Sequence, residues 1–365
     1  MSWLKLMLKG VGGLIGLFLL YVLIVLIHGT FTDYQPEKVV TLPAKSGSGP
    51  KVIEDSILSF AIWNVGYGGL GEESNFFYDN SYGLLSRGRM IRSPKPAVEK
   101  NIAGMTSFVA STKADFFLFQ EVDFRSKRSY YINQYEAMQQ ARSDYSANFT
   151  VNYQVKRVPV PVLEPWRVYG ATKSGLATYG RFQPTSVTRL QLPGTFSWPT
   201  RIFQLDRCLL VNRYQCAGGK ELVVINLHHS AYDAKGDLKQ VQMNFLRDLV
   251  LEEYQKGNYV IAGGDWNLCP PFFRFDGFAP GKTAGYNQFN IEPDFLPDTW
   301  RWIYDTRVPT NRKTKTRYEA GETFVTLIDF FLVSPNINVL TAKGINQGFR
   351  FSDHQPVWME IELKI

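Results

Sequence analysis

The feature that most constrains the fold is a series of short apolar runs, each ending in polar residues. From residue 57 onward these runs read ILSFAIWNV, DFFLFQE, NYVIAGGDWN and FVTLIDFFLVS. Two sets of apolar residues between them repeat at helical spacing: Val98, Ile102, Met105 and Val109, then Leu238, Val241, Phe245 and Leu249. Buried strands that alternate with amphipathic helices are typical of an α/β domain. The sequence therefore predicts an α/β body beginning near Ile57.

The composition excludes several other classes of protein. The chain has 365 residues, of which 45% are hydrophobic and 20% charged. These values are those of a packed globular protein, and they exclude a disordered, collagen-like or multi-span membrane chain. The formal net charge of +7 suits an anionic substrate or surface without identifying one.

The three cysteines exclude a disulfide-built scaffold and show no zinc-ligand spacing. Cys208 and Cys216 flank a hairpin predicted from residues 202–214 and 220–227. The sequence leaves open whether these two cysteines form a disulfide, and Cys269 would be left unpaired.

The N-terminal region contains a long apolar segment. Residues 11–27 carry no charge, and at about 1.5 Å per residue they just cross a hydrocarbon core of roughly 30 Å. Lys5 and Lys9 precede the segment, while Asp33 and Glu37 follow it. The positive-inside rule then predicts a single-pass protein of the cell membrane, with a cytoplasmic N-terminus and the remaining chain outside.

The alternative to a retained anchor is a cleaved signal peptide. Its apolar core would span only about 7–15 residues and end at a small-residue cleavage site. The sequence that follows here, Ile-His-Gly-Thr-Phe-Thr, is a poor site, so we favour the anchor. The predicted organisation is a cytoplasmic N-terminus (1–10), a transmembrane anchor (11–28), a linker (29–56) with a flexible tether over 41–55, and a catalytic domain (57–365).

Two long segments, 66–95 and 270–310, interrupt the alternation of strands and helices. Both are punctuated by Gly and Pro and are rich in aromatic residues, among them Phe76, Tyr78, Phe275 and Trp300. Loops of this length in a compact domain are usually functional. The alternative is that the aromatic side chains simply cover hydrophobic surface.

Polar clusters end five of the predicted strands. The clusters are Asn64; Gln120 and Glu121; Asn226, His228 and His229; Asp265 and Asn267; and Asp353 with His354. Ligands of α/β sheets bind beyond the carboxyl ends of strands. Three of the four histidines fall within these clusters, so the sequence predicts one convergent site.

The residue types in these clusters indicate metal-assisted phosphoester chemistry. Carboxylate and amide oxygens without thiolates favour Mg²⁺, with Mn²⁺ as the alternative, over zinc. Glu121 with Asn64 would hold such an ion against a phosphate oxygen, and histidines beside carboxylates would handle protons. Asp329 lies in the middle of an apolar run, where an unpaired charge is costly, so a histidine partner is expected.

With these motifs in order from Ile57 to Ile365, the chain resembles the endonuclease/exonuclease/phosphatase superfamily. The motifs are the first-strand Asn64, QE at 120–121, N-x-H at 226–228, GD-x-N at 264–267, ID at 328–329 and SDH-x-P-V at 352–357. Members include pancreatic-type deoxyribonucleases, abasic-site endonucleases, inositol-polyphosphate phosphatases and neutral sphingomyelinases. The resemblance is greatest to bacterial membrane-anchored members. It implies a four-layer α/β sandwich of two facing mixed sheets flanked by helices.

The resemblance also implies roles for the site residues. Glu121 and Asn64 would bind the divalent metal, with Asp353 nearby or sharing it. His354, oriented by Asp329, would position and activate water together with Asp265.

The remaining motif residues would contact the substrate. Asn267 and Asn226 would touch the phosphoryl oxygens, and His228 would stabilise the transition state or assist the leaving group. His229 points to the opposite face of a strand, and the N-x-H spacing selects His228 instead.

The predicted function is that of a membrane-anchored, exported, Mg²⁺-dependent phosphoesterase. Within this class we favour a phosphodiesterase. Its substrate, a nucleic acid or a lipid headgroup, stays undecided, and no protein partner is predicted. The basic segments 125–128 and 312–317 would bind phosphates or form solvated loops. The alternatives are a catalytically inactive anchored scaffold and, more remotely, a serine hydrolase, for which the sequence lacks a G-x-S-x-G elbow.

Overall fold

The computed structural model describes residues 2–45, 47–78, 83–231, 233, 236–274, 278 and 289–364. Two mixed β-sheets pack face to face, and helices cover their outer faces. The predicted four-layer α/β sandwich is therefore confirmed. Parts of the two predicted functional loops, 66–95 and 270–310, lie outside the described residues: 79–82, 275–277 with Phe275, and 279–288.

The described part of the chain contains four α-helices. They are α1 (Ser2–Phe31), α2 (Lys95–Ser111), α3 (Gln134–Ala141) and α4 (Asp237–Gln255). Helices α2 and α3 pack on one sheet, and α4 packs on the other. Helix α1 is the one described helix that is long and apolar enough to cross a membrane.

The first sheet has six strands in the order β15-β16-β3-β4-β6-β5. Their bounds are β3 (Ile57–Asn64), β4 (Phe116–Asp123), β5 (Ser146–Val158), β6 (Gly170–Gly180), β15 (Ile337–Gly344) and β16 (Val357–Leu363). Strands β3 and β4 are parallel, so their carboxyl ends share one edge of the sheet.

The second sheet has eight strands, seven of them in the order β1-β7-β8-β9-β10-β14-β11, with β2 beside β8. Their bounds are β1 (Val39–Leu42), β2 (Val52–Ile53), β7 (Ser186–Gln191), β8 (Cys208–Cys216), β9 (Glu221–His228), β10 (Tyr259–Asp265), β11 (Arg301–Ile303) and β14 (Asp329–Val333). A separate two-stranded ribbon joins β12 (Asn311–Arg312) to β13 (Val325–Thr326).

The main core lies between the two sheets and follows from the period-2 pattern of the strands. Leu58, Phe60 and Ile62 of β3 point inward and meet Leu222 and Val224 of β9. The alternate residues of each strand point outward, toward α2 on one side and α4 on the other. Both faces of these strands are buried, which explains why they read as continuous apolar runs.

The segment FVTLIDFFLVS is not one strand, as its apolar character suggested. It divides into β13 and β14, and Asp329 is the first residue of β14 rather than its middle. The backbone N–H groups of Ile328 and Asp329 donate to Thr310 Oγ1, at 3.0 Å each, where the chain turns between the strands. The break places Asp329 at a strand end, beside the other polar clusters.

Helix α4 forms where its periodicity predicts, but a different stripe is buried. Met243, Leu246 and Val250 are buried against the eight-stranded sheet, whereas Val241 is 42% exposed. Phe245 and Leu249 pack only partly against this core. The apolar residues cover more than one face of the helix, so spacing alone did not identify the buried one.

The predicted linker contributes to the sheet. Strand β1 pairs antiparallel with β7, and β2 pairs parallel with β8. Regular pairing therefore begins at Val39, upstream of the predicted start near Ile57, although the domain boundaries themselves remain predictions.

The cysteine pair does not form. Cys208 and Cys216 are the first and last residues of β8, and both are free and buried, as is Cys269. Eight residue steps along a strand separate the pair by about 26 Å, whereas a disulfide requires Cα atoms within about 7 Å.

Candidate active site

A cavity of about 610 Å³ opens at the carboxyl ends of the central strands of both sheets. Six of the nine predicted site residues line it: Glu121, His228, Asp265, Asn267, Asp353 and His354. The other three, Asn64, Asn226 and Asp329, are fully buried behind its wall. The structure therefore brings the predicted clusters to one place, in two layers.

A β-bulge directs Glu121 into the cavity. The register of β4 against β6 shifts between Phe119 and Val122, and Glu121 has a φ of +55°. Left-handed backbone is unusual for a residue with a side chain and is held by its surroundings. The Asn64 side-chain amide donates to Glu121 Oε1 at 3.4 Å and to Asp265 Oδ2 at 2.9 Å. One amide therefore links carboxylates from the two sheets.

His228 and Asp265 are neighbours because β9 and β10 run parallel in register. The two residues are aligned across the strands, and His228 Nε2 lies 3.3 Å from Asp265 Oδ2. Asn267 follows in a left-handed conformation (φ +50°), and its backbone N–H donates to Asp265 Oδ1 at 2.9 Å. Contacts within the site thus hold both carboxylate oxygens of Asp265 in place.

The expected partner of Asp329 is His354. Asp329 Oδ2 lies 2.8 Å from His354 Nδ1, and both side chains are almost fully buried. The other ring nitrogen, Nε2, faces the cavity, 2.9 Å from the Asn311 amide and 3.8 Å from Asp265 Oδ2. The pair fixes the orientation of the imidazole.

The two histidines of the site have opposite electrostatic environments. Burial would lower the pKa of His354, but the carboxylates of Asp329, Asp265 and Asp353 raise it to about 10. Burial, Arg207 and the neighbouring histidines hold the pKa of His228 well below its ordinary value. At neutral pH His354 therefore carries a proton that His228 does not, an arrangement that suits acid–base chemistry.

His229 is a structural residue. Its ring is fully buried, 5.5 Å from the Trp266 ring in an edge-on arrangement. Neither ring nitrogen has a hydrogen-bond partner within the described chain. Burial lowers its pKa to about 3. This placement agrees with the sequence argument that selected His228.

Asn226 sits between the sheets and contributes no atom to the cavity wall. Its amide donates to the backbone oxygens of Phe119 and Ala177, at 3.1 and 2.9 Å. Its oxygen accepts from Gln120 Nε2 at 2.8 Å. The predicted contact with phosphoryl oxygens would need these bonds to break, because they already use both ends of the amide.

The basic segment 125–128 is solvated only in part: Arg125 is exposed and Lys127 half-buried, but Arg128 is buried. The Arg128 guanidinium is buried, pairs with Asp123 at 2.8 Å and donates to the Tyr169 hydroxyl at 3.0 Å. It also lies over the Tyr67 ring, 3.7 Å from its centre. Arg128, Tyr67 and Tyr169 all line the cavity. Sequence reasoning missed the tyrosines, which come from different loops and strands without a shared spacing.

Further cations surround the polar end of the cavity. Lys239 donates to the backbone oxygen of Asn267 at 3.1 Å, and Arg207 donates to that of His228 at 3.4 Å. In segment 312–317, Arg312 is buried and donates to the backbone oxygens of Leu70 and Gly71, while Lys313 lines the cavity. The site therefore has a positive surround, which suits a phosphate group.

The donor atoms at the polar end fit a divalent cation. Ser352 Oγ donates to the Asn64 backbone oxygen at 2.8 Å, which places Asp353 beside the group of Asn64 and Glu121. A Cβ at Gly66, where φ is +50°, would lie 2.8 Å from Asp353 Oδ1, so glycine is needed for this approach. Oxygen donors without sulfur suit a hard divalent cation.

Asn64 does not present its amide oxygen to Glu121. That oxygen accepts from the Gly66 N–H at 3.0 Å, and the amide nitrogen faces the carboxylates. A cation bound by Asn64 would require this amide to turn over. Among the described residues, the group of acidic and histidine side chains whose ligand atoms lie within 4.8 Å of one another is a different one, Asp265, Asp329 and His354, but Asp329 and His354 are already paired.

The model of the endonuclease/exonuclease/phosphatase family matches residues 61–354. The comparison with curated protein sequences finds no match.

Two of the solved structures that share the fold cover most of both chains. One is an endonuclease/exonuclease/phosphatase from Bacteroides vulgatus, with a TM-score of 0.51 and 14% identity over 85% of this chain and 100% of that one. The other is ANGEL2, a 2′,3′-cyclic phosphatase, in complex with adenosine-2′,3′-vanadate. Its TM-score is 0.51, with 15% identity over 91% of this chain and 100% of that one.

Proposed function

Since this chain belongs to the endonuclease/exonuclease/phosphatase family, we propose that it is a divalent-metal-dependent phosphodiesterase. The observation that carries the proposal is the convergence of Glu121, Asp265, His228 and the Asp329–His354 pair on one cavity. These residues come from both sheets, and no packing requirement brings so many ionisable groups together. The ANGEL2 structure is described as that of a phosphatase, which is consistent with phosphoester chemistry.

In the reaction, a water oxygen attacks phosphorus in line as the bond from phosphorus to the leaving oxygen breaks. Asp265 is the acceptor of the water proton, because it lies between His228 and His354 and is oriented by Asn64 and Asn267. The leaving oxygen takes up a proton from solvent water as it departs, and Asp265 later releases its proton to solvent, so charge and atoms balance.

The two histidines would play different parts. His354, protonated and held by Asp329, donates from Nε2 to a phosphoryl oxygen. Asn311 faces Nε2 with its amide nitrogen, itself a donor, at 2.9 Å, so this amide turns over or gives way when substrate binds. His228 stays neutral and positions Asp265. Electrostatic stabilisation of the phosphoryl oxygens is the main expected gain in rate.

Glu121 and Asp353 would hold the metal, with Asn64 as a third ligand if its amide turns over. Bound there, Mg²⁺ or Mn²⁺ would neutralise charge on the phosphoryl oxygens. Helix α1 would anchor the enzyme in the cell membrane with its catalytic domain outside. The charge pattern of the flanking residues supports this orientation.

The test uses the full-length protein in detergent with bis(p-nitrophenyl) phosphate, in Mg²⁺, in Mn²⁺ and in chelator. We expect metal-dependent turnover that Glu121→Gln lowers by at least a hundredfold. The matched control is Glu360→Gln on β16, the same change in the same sheet away from the cavity. Turnover that persists in chelator, or in Glu121→Gln, would refute the proposal.

Metal titration separates the enzyme from an inactive scaffold. Isothermal titration with Mn²⁺ should show binding that Glu121→Gln weakens. A folded protein that neither turns over a phosphodiester nor binds Mn²⁺ would favour the scaffold.

A further inference from the structure

The cavity extends from the polar site into an arm lined by aromatic and aliphatic side chains. This aromatic arm consists of Tyr67, Phe76, Tyr153, Tyr169, Phe203 and Leu205. The phosphoester chemistry proposed above uses none of these side chains. Arg128 also lies among these rings, but its charge is paired with Asp123. A largely aromatic space that opens beside a phosphate site fits a substrate whose phosphoester carries an apolar group.

The aromatic arm shares a wall with helix α1. Phe203 lines the cavity, and its ring also packs against Gly29 near the end of α1. A Cβ at Gly29 would lie 3.2 Å from Phe203 Cε1 and 3.0 Å from Ile202 Cδ1, so glycine permits this close approach. The Tyr153 hydroxyl, also in the arm, donates to the Phe203 backbone oxygen at 3.1 Å. One phenylalanine thus separates the cavity from the helix.

The contact between α1 and the body extends into the apolar run of the helix. Tyr21, Val25 and Gly29 lie on one stripe, and Val25 is only 8% exposed. The Arg157 guanidinium of β5 lies 6.0 Å from the centre of the Tyr21 ring. The uncharged run of α1 ends at Ile27, and Tyr21 lies six residues before that end, about 9 Å along the helix. With α1 in a bilayer, the part of the body that contacts Tyr21 would lie about as deep as helices that bind at the membrane interface.

The body exposes large apolar side chains around this contact. This anchor-flanking face comprises Leu84, Leu163, Trp166 and Trp198, which are 56%, 46%, 76% and 56% exposed. The Leu163 N–H donates to the Leu84 oxygen at 3.1 Å, so these two loops are adjacent.

Hydrogen bonds connect the same face to α1. Trp198 Nε1 donates to Thr30 Oγ1 at 3.1 Å. Arg157, beside Tyr21, donates to the backbone oxygen of Pro165, the residue before Trp166. Exposed tryptophans beside a membrane-crossing helix are typical of a surface in the headgroup region.

We propose that the anchor-flanking face rests in the lipid headgroup layer and that the substrate is a phosphoester of a membrane amphiphile. Its phosphate reaches the histidines and carboxylates, and its apolar portion occupies the aromatic arm next to α1. This inference rests on the proposed phosphodiesterase activity and adds the substrate class. Aromatic walls also stack nucleobases, but the shared wall with α1 and the exposed tryptophans favour an amphiphile.

The test compares two substrates that differ only in their apolar group. Methyl p-nitrophenyl phosphate and hexadecyl p-nitrophenyl phosphate release the same p-nitrophenolate. The full-length protein is reconstituted in phosphatidylcholine vesicles that contain the long-chain ester, or receives the methyl ester in solution. We expect kcat/KM for the hexadecyl ester to exceed that for the methyl ester at least tenfold.

Variants distinguish binding in the aromatic arm from a preference that arises only because the protein and the hexadecyl ester share a vesicle. Leu205→Asp places a charge in the arm and should bring the ratio of the two kcat/KM values close to one, with thermal unfolding measured to show that the variant folds. Trp166→Ser should lower turnover of the hexadecyl ester at limiting vesicle concentration by threefold or more and leave the methyl ester unchanged. The matched control is Leu340→Ser on β15, at the opposite edge of the six-stranded sheet from β5.

The outcomes distinguish this inference from the proposed function. Three results would overturn the proposed amphiphile substrate and leave the proposed phosphodiesterase activity intact. They are metal-dependent turnover of both esters at similar kcat/KM, a preference for the hexadecyl ester that survives Leu205→Asp, and a preference for an oligonucleotide. No turnover of either ester by folded, metal-bound protein would overturn both.

Discussion

Acid should destabilise this protein partly through one buried histidine that takes no part in the site. His229 is fully buried without a hydrogen-bond partner within the described chain, and its pKa is lowered to about 3. In the unfolded chain its pKa is about 6.5. The unfolded state therefore binds a proton between these two values when the folded state does not, and stability falls as the pH drops below about 6.5.

The size of the effect follows from the two pKa values. From pH 8 to pH 5, protonation of this histidine in the unfolded chain raises the unfolding equilibrium constant by about 1.5 powers of ten. At 1.36 kcal/mol per power of ten, this lowers the free energy of unfolding by about 2 kcal/mol. The perturbation is His229→Phe, which removes the titratable group and keeps a ring against Trp266. Because the histidine nitrogens make no hydrogen bonds, an apolar ring should fit at pH 8 with little loss.

The assay is urea unfolding of full-length protein in detergent, followed by tryptophan fluorescence at pH 8 and pH 5. Wild type should lose about 2 kcal/mol more than His229→Phe across this range, and phosphodiester turnover at pH 8 should be similar in both. Parallel loss of stability in the two proteins would refute the argument that His229 is buried in its neutral form.

Three further changes have expected outcomes. Asp329→Asn should lower the pKa of His354 and shift the alkaline limb of the kcat–pH profile by at least one unit toward lower pH, since the wild-type imidazolium is stabilised mainly by that carboxylate. Asn226→Ala should lower the free energy of unfolding by about 3 kcal/mol, because it leaves buried backbone oxygens without donors. A normal melting curve with lost turnover would instead show that Asn226 contacts the substrate. Arg128→Met should lower the free energy of unfolding by about 3–5 kcal/mol, because it leaves Asp123 buried without its ion-pair partner. In a double-mutant cycle, adding Asp123→Asn should recover part of this lost stability, and additive losses would contradict the coupling.

Much of the fold could be predicted because buried strands carry a strong local signal. The runs that became β3, β4 and β10 are apolar on both faces, and polar residues end each of them. That Asp329 needs a histidine partner followed from the cost of burying a lone carboxylate, and the family resemblance identified the partner as His354. That argument holds although Asp329 begins a strand rather than lying within one.

What could not be predicted depends on contacts between distant segments. Asn311, Arg207 and Lys239 reach the cavity from a ribbon, a loop and a helix, and no spacing connects them. Asn226 has the residue type of a ligand, and only its position between the sheets shows that its hydrogen bonds are internal. The β-bulge at Glu121 likewise depends on pairing with β6.

The position of β16 has a consequence for how the site assembles. This strand, late in the chain, inserts between β15 and β3, and the segment before it carries Asp353 and His354. The Trp63 indole donates to the His354 backbone oxygen at 3.0 Å across 291 residues of sequence. Pairing over such separations is slow to form. Until this strand is paired, the cavity would lack Asp353 and His354, so assembly of the site depends on a contact that spans most of the chain.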